Sequence, residues 1–220
     1  MEIQTPFDLP RFMVATFPRV DFDGDLFGQW PVGIRFEIGL DQVSRATRIY
    51  QFVLSSSQNC VLVSQDWPSS DRLPERFTPL FSTPGIFPEA RPPQFQTVNV
   101  FPFDETPHRL TWARLPLNFI DAHRMFEAIA NGDHGRIPSI AGRAYIIDDH
   151  AKLLMHMYDD RGLDVIAASA ATLLPVYERF GTWILENQRH RIDSRFKNFL
   201  AESQSREANK VSDCFSSDEN

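Results

Sequence analysis

Hydrophobic and polar positions alternate most cleanly from Val32 to Leu40. Ile34, Phe36 and Ile38 fall on one side and Arg35 and Glu37 on the other, the period-two pattern of a strand that Gly39 ends. The period then becomes helical: Val43, Ala46, Ile49, Tyr50 and Val53 form one stripe in a segment reaching Leu54, with Asp41 or Ser44 as its cap. Asn59 to Gln65 is short, branched and apolar, which predicts a buried strand beside the first. Gln94 to Phe101 and His108 to Leu115 are two further strand-like runs, joined through Pro102 and Pro107, and are expected to pair as a hairpin.

Asn118 is positioned to cap a helix over Phe119 to Ala130 that Asn131-Gly132 would end. Gly142 to Ala168 then reads as a three-strand meander: Arg143 to Ile147, Lys152 to Tyr158, and Leu163 to Ala167, with turns at Asp148-Asp149-His150 and Asp160-Arg161-Gly162. Leu173, Tyr177, Phe180 and Ile184 predict a helix within Ser169 to Glu186, which tolerates Pro175 only near its first turn or as a kink. The helical pattern resumes from Ile192 to Leu200.

Between these elements lie less regular stretches. The first 30 residues, rich in Phe and broken by Pro10, Pro18, Gly24 and Gly28, form an irregular arm pinned to the core by aromatic side chains. Residues 66–93 are a Pro-rich loop, packing through Phe77, Phe81 and Phe87 or serving as a flexible cover. Residues 201–220 form a polar tail expected to be disordered. The expected architecture over residues 31–200 is one α+β domain, a mostly antiparallel sheet with helices packed on one face.

Composition narrows the function. With 22 basic against 29 acidic residues and a formal net charge of −7 in a chain of 220, no basic face for nucleic acid is expected. The only lysines are Lys152, Lys197 and Lys210, so nearly all positive charge sits on guanidinium groups, which pair carboxylates bidentately. No apolar stretch approaches the roughly 20 residues of a membrane span, and the start MEIQTPFDLPRF lacks signal-peptide character. Cys60 and Cys214 are too few for a disulfide framework or a zinc site, so a cytosolic protein with reduced thiols is expected. No nucleotide-binding Gly-rich loop, HExxH, GxSxG or CxxC pairing occurs, so no cofactor or metal is expected.

Two constellations could carry chemistry. In the strand from Lys152, His156 and Tyr158 share a face, presenting an imidazole and a phenol together, while Asp159, Asp160, Arg161 and Asp164 gather at the following turn. Three carboxylates near one guanidinium suit a divalent cation or an Arg-centred structural knot, and turn chemistry favours the knot. His156 alone reads more readily as a half-buried residue bonded to backbone than as a ligand. Arg35 and Glu37 form the second pair: a solvated ion pair on an open sheet face, or, if that face is covered, the floor of a cleft with Glu37 as general base. Together these residues are expected to make a solvent-facing polar surface for a ligand or partner.

Trp30-Pro-Val-Gly-Ile-Arg-Phe-Glu-Ile-Gly39 and His156-Met-Tyr-Asp-Asp-Arg-Gly-Leu-Asp-Val-Ile166, followed by Leu174, Tyr177, Phe180 and Trp183-Ile-Leu, resemble the bacterial family catalogued as domain of unknown function 3885, from about Phe22 to Phe196. The resemblance implies a bacterial cytosolic setting and no stated mechanism. Two function classes follow from the residues. One is a toxin-neutralising (immunity) protein that covers a toxin-like domain with an acidic face. The other is a small hydrolase using Glu37, His156 and Asp159 or Asp160.

Overall fold

A computed structural model describes residues 7–22, 25–39, 42–66, 77–87, 95–100 and 108–216, with side chains described as far as Ala201 except at 42, 77 and 100. Seven strands form one antiparallel sheet: β1 (Gly33–Glu37), β2 (Asn59–Asp66), β4 (Gln96–Val100), β5 (His108–Pro116), β7 (Arg143–Asp148), β8 (Leu153–Met157) and β9 (Gly162–Ala167). Their order is β1-β9-β8-β7-β2-β5-β4. Short parallel strands β3 (Phe77–Pro79) and β6 (Ser139–Ala141) make a separate pair.

The meander and the hairpin form as their patterns predict. β2, expected beside β1, instead lies at the centre between β7 and β5. Its residues from Cys60 to Asp66 are all buried, which a central strand covered on both faces requires. β1 pairs with β9, because the β7–β9 meander reaches back to the sheet edge where β1 lies.

Alternation along each strand divides the core. Ile34, Phe36, Leu62, Ile146, Met155 and Val165 face one way, towards α3 (Gln42–Val53), α4 (Ala122–His134), α5 (Ala170–Phe180) and α6 (Glu186–Ser216). Val61, Val63, Trp112, Ile147, Leu154 and Ile166 face the other way and are sealed by the N-terminal arm. That arm holds α1 (Leu9–Thr16) and the single-turn α2 (Leu26–Gln29); Leu9, Met13, Phe17, Phe22 and Leu26 are its inward side chains. The sheet thus carries its longer helices on one side and aromatic-rich cover on the other.

Several boundaries differ from the sequence pattern. Asn118 lies in a 3-10 turn, Leu117–Phe119, and the cap of α4 is Asp121, whose carboxylate accepts from Arg124 N–H at 3.0 Å. α4 also runs past Gly132 and ends at Gly135, where φ of 65° suits a residue without Cβ. α5 stops at Phe180; the chain turns through Gly181–Trp183 before α6 begins. α6 continues to Ser216, through much of the expected disordered tail, since nothing between Glu186 and Ser216 is Gly or Pro. In the Pro-rich stretch, Phe81 and Phe87 stack at 5.9 Å, while residues 67–76 and 88–93 lie outside the described set.

Candidate functional site

The sheet register brings the two sequence constellations together. Arg35 in β1 sits opposite Asp164 in β9, Asp164 opposite His156 in β8, and His156 opposite Tyr145 in β7. One polar row therefore crosses four strands on the face that the arm covers. Arg35 grips Asp164 bidentately, Nε to Oδ1 and Nη2 to Oδ2, both at 2.7 Å, and Phe27 N–H adds a third bond to Oδ2 at 3.2 Å. Asp25, the cap of α2, also pairs with Arg35 Nη2. The arm therefore supplies both an acid and a backbone donor to a site built on strands.

His156 is 3% exposed. Its Nδ1 lies 2.8 Å from the Ala144 carbonyl, an acceptor only, so Nδ1 carries the proton and Nε2 is a bare lone pair. The ring stacks on Tyr145 with centroids 4.2 Å apart, and the Tyr145 hydroxyl donates to the Phe22 carbonyl, which also receives Arg143 Nη1 at 3.0 Å. Burial pulls the imidazole down to about 4, so it is neutral at physiological pH. Burial also pushes the Asp164 carboxyl up from its ordinary value, against the opposite pull of its three donors, two on the Arg35 guanidinium and one the Phe27 N–H; the same pairing holds Arg35 more firmly protonated.

Tyr158 follows β8, 38% exposed, with the Arg35 guanidinium 5.2 Å from its ring centroid. Its phenol lies against Gly162, where a Cβ would stand 1.7 Å from Oη, so only glycine leaves room for it. Burial pushes this hydroxyl up to about 12, and it stays protonated. Asp25, Arg35, Arg143, His156, Tyr158 and Asp164 line a cavity of about 290 Å³. Among the described residues neither His156 Nε2 nor Tyr158 Oη has a hydrogen-bond partner.

The expected solvent-facing surface is thus a partly enclosed pocket, because the arm folds over the strand face that carries Arg35 and His156. The remaining candidates lie outside it. Glu37 is exposed, opposite Gly162, and is not part of the cavity wall. Asp159 accepts from Arg161 N–H at 2.8 Å and Gly162 N–H at 3.1 Å and pairs with the Arg161 guanidinium. Asp160 pairs with His134 Nε2 at 3.1 Å. These are the bonds of an Arg-centred turn knot, and Asp164 points to Arg35 instead of joining them. Among the described residues no three His, Cys, Asp or Glu are grouped to hold a metal ion.

Asp25 and Arg143 escaped the sequence reading. Strand alternation places Arg143 on the face of Tyr145, a usable signal, but only the lateral strand order shows that this face is also that of His156. Asp25 sits in an irregular segment whose docking no periodicity encodes.

A mixed α+β protein with a polar pocket beneath an N-terminal cover is what fold and site define. Residues 9–188 match the family model described as a domain of unknown function, DUF3885, and the chain belongs to that family. No curated protein and no solved structure matches it. Among the described residues no helix is long and apolar enough to cross a membrane.

Proposed function

We propose that this protein acts by binding, that its partner is a protein which it covers in the manner of toxin-neutralising (immunity) proteins, and that the Arg35–His156–Tyr158 pocket receives one side chain of that partner. The observation that carries this reading is the pair of polar groups without a hydrogen-bond partner among the described residues, His156 Nε2 and Tyr158 Oη, in one cavity with the largely buried Arg35. At about 290 Å³ the cavity sits at the lower edge of small-molecule sites, roughly 300–1,000 Å³. It suits a single inserted group, and Tyr and Arg are the residue types that dominate binding hot spots.

Nε2 needs a donor and Tyr158 supplies one, so a carboxamide or hydroxyl side chain satisfies both. The net charge of −7 favours approach of a basic partner. A hydrolytic reading loses its general base, since Glu37 stands outside the cavity. Affinity purification from native cells tests the proposal. One protein recovered near stoichiometrically with wild type and lost with Tyr158→Phe supports it; equal recovery by both, or none by wild type, contradicts it.

A further inference from the structure

α6 carries a second polar cluster, separate from the pocket. Arg191, Ser194, Arg195, Asn198 and Phe199 fall on one helix face and, with Ala170 of α5, line a cavity of about 460 Å³. Arg191 and Arg195 are one turn apart, where like charges repel. Other arginines of this chain are matched: Arg35 with Asp164, Arg109 with Asp66, Arg114 with Asp149, Arg189 with Glu186. Arg195 has no such partner among the described residues, and its Nη1 is buried without any hydrogen bond. Arg191, an exposed residue of the cavity lining, lies over the Phe27 ring, 4.6 Å from its centroid, a contact that restrains its guanidinium. Asp193, between them in sequence, is turned away and accepts from the Tyr177 hydroxyl at 2.9 Å.

A buried guanidinium N–H without an acceptor is costly, and a second cation beside it adds to the cost. Burial and the Arg191 charge both pull the Arg195 guanidinium below its ordinary value. Such a pair is stabilised by a multiply charged oxyanion: two planar donor forks, a hydroxyl and an amide match a group with three acceptor oxygens and a charge near −2. We propose that the α5–α6 cavity is a binding site for a soluble phosphomonoester, its phosphoryl group held between Arg191 and Arg195.

The test is thermal unfolding and calorimetric titration of the full chain with inorganic phosphate and with glycerol 3-phosphate, against sodium chloride of equal ionic strength. Wild type should melt higher with both phosphates than with chloride, with glycerol 3-phosphate binding at least as tightly as inorganic phosphate. Arg195→Gln should bind about tenfold or more weakly, and Arg195→Lys should fall between, since it keeps the charge and loses the fork. Without phosphate, Arg195→Gln should be no less stable than wild type, because it removes a repulsion. Equal affinity in wild type and Arg195→Gln, a shift reproduced by chloride, or a phosphate-free loss of stability in Arg195→Gln would overturn the proposal.

Discussion

Asp164 is 1% exposed, and its charge is tolerable only while Arg35 and the Phe27 N–H hold it. Arg35→Met should therefore cost about 3–5 kcal/mol in urea unfolding, the penalty of a buried carboxylate left without its cation. Arg35→Met combined with Asp164→Leu should recover much of that loss, and a double variant as unstable as the single one would refute the assignment. His156 makes a prediction about pH. Its unfolded imidazole titrates near 6.5 and its folded one near 4, so between these values the unfolded chain binds more protons. The stability contributed by the neutral ring is complete above about 6.5, drains as pH falls, and levels off below about 4, roughly 3 kcal/mol in all. His156→Gln should flatten unfolding free energy across that window; an unchanged slope would place the titration elsewhere.

At the scale of elements, the turn between β8 and β9 keeps the pocket open. Gly162→Ala puts a methyl where the Tyr158 phenol lies, so the ring must swing away while the strand still forms. The expected result is a folded protein, by circular dichroism, that has lost partner capture. Helix α4 offers a cleaner energetic test: Asp121→Ala should cost about 1 kcal/mol through its lost cap, while Asn118→Ala should be nearly neutral. Periodicity made β1, the meander and the hairpin legible, because each buries a side-chain pattern that its own residues specify. It pointed to Asn118 where Asp121 is the cap, since both residue types cap helices and only the 3-10 turn at Leu117–Phe119 decides. Nor could it place β2, whose continuous apolar run signals burial on both faces but names no neighbours.

For the whole molecule, the arm completes the sheet. Leu9, Met13, Phe17, Phe22 and Leu26 cover Val61, Val63, Trp112, Ile147, Leu154 and Ile166, and Asp25 and Phe27 from the same arm complete the pocket. Deleting residues 1–31 should leave a chain that aggregates or binds a hydrophobic dye, and a soluble, dye-silent truncation would contradict the two-sided core. Which residues meet in the pocket was half legible: the imidazole, phenol and guanidinium were identifiable as types on strand faces. Their meeting depends on β1 docking against β9, a long-range pairing that no local pattern carries. The central claim is that His156 presents a bare Nε2 to a binding partner, and nitrogen NMR of the ring, in the free protein and with the captured partner, tests it most directly. The free protein should show Nδ1 protonated and Nε2 unprotonated down to about pH 5, below the ordinary histidine range and above the folded value near 4, and partner binding should shift the Nε2 resonance. A partner that binds while Nε2 stays unmoved, or a ring protonated on Nε2 in the free protein, would contradict the account.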